Sequence, residues 1–516
     1  MHAAPSQPPP VTARTEHDAL PVRPGVDPLE LLDELRRDGV RGVALLESAD
    51  LAGDRGSPRR SILVTRALLR VEVLADGARV VEPLVPGAER LVDELERRAP
   101  DAPAPTPPLE AEARLRAPEP LLDFIRAAAG LVGDRAAVPF PAGIVGAFGY
   151  DVVDRFENIG PRKPDPFDEP DASFVVVGDI VVFDHREGTA DVVTRGMPWE
   201  AATEAKRRHV AACERVRALR VREDDPAGTR ELAAVVADVQ DATFLDSVST
   251  LREHIRDGDV FQAVISRGLS NTSSARPTAV YRALRTNNPS PYMFFLDLGV
   301  RGDLFGASPE TFLKVESGVV EIRPIAGTVP RGFAPDGTID HDADGRLALS
   351  LLLDRKEQAE HAMLLDLARN DIARVSKPGT TDVVQQFAVE KYSHVQHLVS
   401  RVRGELRDGL DAMHAYRAAA NMGTLTGAPK PKAMELIRSL EPNARGFYGG
   451  AAGYLLHDGS FDSCIVIRSL RYRDGTYHTR TGAGVVQDSD PRRELAETDH
   501  KSRACRLAIA VAEVGP

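Results

Sequence analysis

The sequence predicts an α+β fold, and three observations carry that prediction. Short alternating apolar runs and longer helical repeats are both frequent, yet they follow no regular strand–helix–strand rhythm. Of the 516 residues, 42% are apolar and 28% charged, the balance of chains that bury a core. No internal repeat points to a solenoid or propeller.

In chain order, residues 1–26 carry PSQPPP and little apolar material, so a disordered tail is predicted there. Alternating strands follow from about Leu29: VALLES at 43–48, SILVT at 61–65 and LRVEVLA at 69–75. The Pro-rich stretch 99–114 reads as a linker or surface loop. SFVVVGD at 173–179 and IVVFDH at 180–185 read as a pair of buried strands, and 200–223 as a charged helix. The polar break DDPAGTRE at 224–231 is the best boundary, dividing an N-terminal region, 27–225, from a second region, 226–516. In the second region, 245–259 reads as an amphipathic helix and 261–270 as a strand. Residues 354–375 are the clearest helix, with Glu357, Glu360 and His361 on one face. Residues 460–486 read as a hairpin with an Asp-Gly turn, and about 492–514 as the last helix.

The net charge of −12 excludes a general nucleic-acid or anionic-membrane binder. The three cysteines, Cys213, Cys464 and Cys505, are far apart, and no CxxC or Cys/His cluster is seen. A disulfide scaffold and a structural zinc site are therefore disfavoured, and a reducing, cytoplasmic setting is expected. No apolar run reaches transmembrane length, and the N-terminus lacks the pattern of a secretory signal.

Several segments suggest chemistry, each with a plainer reading beside it. PIAGTVPRG at 324–332 offers glycine for close backbone approach and the Thr328 hydroxyl, but alone it reads rather as a strand-to-loop turn. EQAEH at 357–361 and ELAETDHK at 494–501 would hold Mg²⁺ if their helices faced each other; either alone reads as a solvated face. NMGTLTGAPKPKAMELI at 421–437 is a loop-to-helix entry of the kind that binds anions, and equally an ordinary helix start. TGAGVVQDS at 481–489 is weak as a dinucleotide fingerprint and plausible as a Gly-lined carboxylate pocket. His397 has the side chain of a general acid or base, although a lone histidine is more often structural.

In combination these segments resemble one family, anthranilate synthase component I among the chorismate-utilising enzymes. LLESAD at 45–50 and GAFGYDVVDRFE at 146–157 fit it, and the fit is nearly continuous from FQAVISR at 261–267 to HKSRA at 500–504. NPSPYMFF, GASPET, PIAGT, DLARND, MGTLTGAPK, YGGAAGY, CIVIRS and GAGVV all lie within it. Relatives with other activities typically carry lysine at position 326 or 262; here these are Ala326 and Gln262, which fits ammonia as nucleophile. The resemblance implies large antiparallel sheets packed together with helices outside, and a Mg²⁺-dependent carbon–oxygen lyase of tryptophan biosynthesis. It would join chorismate and ammonia to aminodeoxyisochorismate, then eliminate pyruvate to give anthranilate.

By the same resemblance, Glu360 and Glu497 match the metal ligands, and Gly327, Thr328, Tyr448, Arg468, Gly482, Ala483 and Gly484 match chorismate contacts. Thr424 matches a residue near the ring, and His397 the histidine of the second step. Ser48, Pro291, Tyr292 and Met293 match a tryptophan feedback site, which assigns regulation to 27–225 and catalysis to 226–516. No glutaminase motif is present, so a separate glutamine amidotransferase subunit, in a hetero-oligomer, is expected to supply ammonia. Pro431, Arg480 and the wording of ETDHKSRA depart from the usual pattern. They leave open an enzyme that stops at aminodeoxyisochorismate, and a catalytically dead regulator is the other alternative.

Overall fold

The computed structural model describes residues 9–49, 58–99, 115, 117–135, 137–221, 231–334, 336–392 and 395–514. Two antiparallel sheets share a pair of long strands, Pro58–Val73 and Ala172–Asp184. One sheet continues through Ala44–Ala49, Tyr292–Asp297, Asp303–Ser308, Ser469–Arg473 and Thr476–Val485 to Gln262–Thr272. The other continues through Gly143–Phe148, Ala451–Leu456, Phe461–Ile465, Thr311–Glu316 and Val319–Ile322 to Val395–Glu405. Ile325–Pro330 and Asp382–Lys391 flank that last strand.

The strands are apolar on both faces because both faces are covered. In Ala172–Asp184 every residue but Asp184 is buried. Alternation sends Ile62, Val64, Phe294 and Leu296 into the layer between the sheets. Leu63 and Phe295 point the other way, into a cluster with Leu32, Tyr281 and Ile509 from helices Pro28–Arg37, Pro277–Asn287 and Pro491–Val514. Helices Pro120–Ala129, Arg355–Ala373 and Ala412–Ala419 pack over the second sheet. This is the α+β arrangement with helices outside. Among the described residues, no helix is long and apolar enough to cross a membrane.

Four expectations are corrected. Residues 11–21 are not a disordered tail but a strand, paired antiparallel with Thr189–Gly196 and parallel with Val132–Asp134. Backbone pairing holds it, since Ala13 and Leu20 are its only fully buried residues, too few to show as a pattern. The two short runs at 61–65 and 69–75 are one strand, and so are 173–179 and 180–185. Gly178 marks a register irregularity within the strand: a Cβ there would lie 2.7 Å from the Arg66 carbonyl oxygen. The predicted hairpin is confined to Ser469–Arg473 and Thr476–Val485, while Phe461–Ile465 joins the other sheet. Finally, the division at 225/226 does not separate two cores, because the buried clusters mix residues from both sides. Residues 100–114 and 222–230 lie outside the described residues.

Candidate active site

The floor of the site is a strand pair. Gln262–Thr272 and Thr476–Val485 set Gly482, Ala483 and Gly484 opposite Ser266, Ile265 and Val264. A Cβ on Gly482 would fall 3.0 Å from the Tyr448 hydroxyl, and one on Gly484 would fall 2.7 Å from Gln262 Nε2. Glycine is thus required where these two polar groups lie over the backbone. Burial pushes the Tyr448 phenol up to about 12, against the lowering effect of Arg445, so it stays a hydrogen-bond donor. Gly482→Ala is expected to fold yet lose about tenfold or more in kcat/KM, the scale of one misplaced methyl group in a fitted site. Steady-state kinetics beside a melting curve checks it.

A second strand pair supplies the histidine. Ile325–Pro330 and Val395–Glu405 set Thr328 opposite His397. His397 Nδ1 lies 3.0 Å from Thr328 Oγ1 and 3.2 Å from the Gly327 carbonyl oxygen. A carbonyl only accepts, so the tautomer that satisfies it carries hydrogen on Nδ1 and a lone pair on Nε2. Burial, and then the Arg468 guanidinium, lower the imidazole pKa to about 4 against the Gly327 bond, leaving it neutral at pH 7. Gly327, with φ +60°, is a bulge inside strand Ile325–Pro330 and not a strand-to-loop turn, and a Cβ there would lie 2.9 Å from Glu357 Oε2, so this bulge abuts the acidic helix.

Glu310, Thr424 and Arg468 form a third group. Burial pushes the Glu310 carboxyl up to about 8, although the Thr424 hydroxyl and Arg468 both oppose the rise. Thr424 Oγ1 is buried and makes no well-formed hydrogen bond. Arg468 has φ +47° and is half-buried. Its guanidinium has no hydrogen bond or ion pair among the described residues. Burial lowers its pKa, while Cys505 and Glu310 raise it. A half-buried guanidinium of this kind is a binding group for a carboxylate.

Carboxylates of the two acidic helices lie near enough to repel one another. Glu357 is raised first by burial and then by Glu360 and, from the opposite helix, Glu497. Glu494 is raised by burial and by Glu497. Gln262 Nε2 lies 3.4 Å from Glu360 Oε1, and Gln262 Oε1 is buried without a partner. Glu497 pairs with Lys501 at 2.7 Å, and Lys501 also donates to the Gly482 carbonyl at 3.0 Å. The carboxylates are therefore a loose set of hard oxygen donors, not a closed cage. That suits a cation that keeps several waters, such as Mg²⁺.

Behind the floor lies a buried ionic network. Glu441 accepts hydrogen bonds from Ser266 N at 2.8 Å, Ser266 Oγ at 2.7 Å and Arg445 Nη2 at 2.6 Å. Arg480 reaches Ser266 Oγ at 3.0 Å and Asp238 at 2.9 Å, with Glu441 at 3.5 Å. The departure at Arg480 is thus absorbed by acidic partners. Pro431 sits in the first turn of helix Lys430–Leu440, where proline removes no intrahelical bond.

Ser48 and Pro291, Tyr292 and Met293 lie at the same end of one strand pair, where Met293 stands opposite Glu47 and Ala49 N–H donates to the Ser290 carbonyl at 3.3 Å. The Tyr292 hydroxyl donates to Asp462 at 2.9 Å and accepts from Thr311 Oγ1 at 3.2 Å. Sequence reading missed Glu310 and Glu441 as functional candidates. Glu310 lay inside the noted GASPET segment, and a lone acid between apolar strands is the signal that marks it.

Similarity to known proteins agrees with this geometry. The family described as chorismate binding enzyme matches residues 108–506. Anthranilate synthase component 1 of Vibrio cholerae is 46% identical over 378 residues, 72% of this chain and 71% of that protein. The Escherichia coli component 1 is 39% identical over 493 residues, 91% and 92% of the two chains. The crystal structure of anthranilate synthase component I from Streptococcus pneumoniae matches with TM-score 0.72 at 30% identity, covering 87% of this chain and 92% of that one. With most of its length matched in this way, the chain belongs to the chorismate-binding enzyme family, among the anthranilate synthase component 1 proteins.

Proposed function

We propose that this chain converts chorismate and ammonia to anthranilate and pyruvate through aminodeoxyisochorismate, as the first step of tryptophan biosynthesis. The observation that carries the reading is a pair of oppositely tuned groups: Glu310, raised to about 8, and His397, lowered to about 4, with Arg468 beside both. At neutral pH the first is a proton donor and the second a proton acceptor.

Arg468 binds a carboxylate of chorismate as a two-pronged donor, and Thr328 and Tyr448 add hydroxyl contacts. The backbone of Gly327, Gly482, Ala483 and Gly484 allows the ring to approach closely, and Thr424 faces it beside Glu310. Ammonia forms a bond to C2, and the C4 hydroxyl takes a proton from Glu310 and leaves as water. His397 Nε2 then takes the C2 proton while the C3–O bond breaks. The enolpyruvyl methylene gains a proton, pyruvate departs and the ring becomes aromatic. Mg²⁺ held by Glu360 and Glu497 would supply positive charge to the ring carboxylate. Ala326 and Gln262 offer no amine that would compete with ammonia.

Ammonia comes from a glutamine amidotransferase subunit in a cytoplasmic hetero-oligomer, a reading that rests on the relatives' designation as component 1. Tryptophan binds at Ser48, Pro291, Tyr292 and Met293 and inhibits. Thr311, bonded to Tyr292, is the chain neighbour of Glu310, so a shift at one site has a short route to the other.

The test incubates the purified chain with chorismate, ammonium and Mg²⁺ and identifies products by mass. Anthranilate with pyruvate, abolished by EDTA and restored by Mg²⁺, is expected. Aminodeoxyisochorismate alone would move the chain to a pathway that stops there, and chorismate binding without turnover would make it a regulator.

A further inference from the structure

On helix Ala202–Ala218, His209 and Cys213 are one turn apart and both buried, facing the strand Val11–Pro21. That strand brings Asp18, which is 191 residues from His209 in the chain, to the same point. His209 Nε2 lies 3.3 Å from Asp18 Oδ2 and 3.8 Å from Cys213 Sγ, and Cys213 Sγ lies 3.9 Å from Asp18 Oδ2. Among the described residues, this is the one group of three such donors that converges closely enough to hold a metal ion.

We infer that Asp18, His209 and Cys213 form a Zn²⁺ site, separate from the acidic helices of the active site. Zinc bonds of about 2.0–2.3 Å at tetrahedral angles put neighbouring donors about 3.4–3.6 Å apart. The three observed separations need to change by only a few tenths of an ångström to meet that. Weak hydrogen bonds link all three pairs, and a zinc ion would replace them with bonds from the same three atoms. The other ring nitrogen, His209 Nδ1, is 3.2 Å from the buried Thr194 Oγ1, an outer contact that aims Nε2 at the cluster. The mixed sulfur, nitrogen and oxygen set selects zinc over magnesium. Asp18 is exposed, so water completes the fourth position.

The consequence is structural. An ion here joins the strand Val11–Pro21 to helix Ala202–Ala218, and through Thr194 to strand Thr189–Gly196. The strand has few apolar anchors of its own, so the clip is where it gains most. The sequence alone hid the site. His209 and Cys213 stand four apart within HVAAC, but the third donor is contributed from the far end of the region.

The test strips the full chain with chelator, reloads it with Zn²⁺ and measures bound metal after gel filtration. One zinc per chain is expected, with slower hydrogen exchange over residues 11–21 in the loaded form. Cobalt loading should give a thiolate charge-transfer band that Cys213→Ser abolishes. His209→Gln and Asp18→Asn should each weaken zinc binding at least about tenfold, while Cys464→Ser and Cys505→Ser leave it unchanged. Asp18→Asn, at an exposed position, keeps the test informative if the buried variants fail to fold. No retained zinc in the wild type, or retention unaffected by Asp18→Asn and Cys213→Ser, would overturn the site.

Discussion

Glu310→Gln is expected to lower ammonia-dependent kcat by about 10²–10⁴-fold, the usual contribution of a positioned proton donor. Glutamine keeps the shape and a hydrogen-bond donor but has no proton to transfer to the departing hydroxyl. Chorismate affinity should change little, which separates lost chemistry from lost binding. The pH profile gives an independent check. Burial raises the Glu310 pKa to about 8, so the acid form dominates at pH 7 and is lost as pH rises through about 8. The rate, corrected for the fraction of neutral ammonia, should therefore fall above about pH 8 in the wild type. The residual rate of Glu310→Gln should lack that limb. His397 puts the opposite limb near pH 4, since its neutral form is lost as pH falls through about 4.

The second large effect is on stability. Glu441→Gln is expected to destabilise the fold by about 3–5 kcal/mol, because it leaves buried guanidinium charge uncompensated. Glu441 is the only carboxylate paired with Arg445 among the described residues, and Arg445 is buried. Its other bonds go to the carbonyl oxygens of Leu425 and Val264, both at 2.7 Å, which accept but do not neutralise. Arg480 keeps Asp238 at 2.9 Å, so the loss concentrates on Arg445. Burial pushes the Glu441 pKa up, but Arg445, then Arg480 and Ser266, outweigh it and hold the carboxyl low. Glu441 therefore stabilises the fold above its unfolded pKa, and that contribution is lost as pH falls through its lowered folded pKa. Urea unfolding midpoints at neutral and acid pH should converge between wild type and Glu441→Gln on the acid side. A variant as stable as wild type at neutral pH would contradict the role given to the network.

Much of this was legible because it is local. Gly482, Ala483 and Gly484 share one strand, and Gly327 and Thr328 share another, so composition alone marks close backbone approach. The pairing of Thr328 with His397 was not legible, since it depends on strand register across 69 residues. The tuning of Glu310 depends on tertiary packing, which no segment of sequence displays. The strand at 11–21 escaped notice because backbone pairing, not apolar alternation, holds it. The single strand Ala172–Asp184 reads as two because a bulge with a glycine interrupts its run of apolar residues. The ionic network was hidden for another reason: Ser266 and Glu441, 175 residues apart, each look ordinary in their own segment.

The acid–base pair meets its most direct test in one quantity, pyruvate released per chorismate consumed, measured for the wild type and His397→Gln with ammonium and Mg²⁺. The wild type should release one pyruvate per chorismate, while His397→Gln should consume chorismate and accumulate aminodeoxyisochorismate with little pyruvate. A wild type that releases no pyruvate, or a His397→Gln enzyme that forms anthranilate at the wild-type rate, would contradict the assignment of His397 to pyruvate elimination.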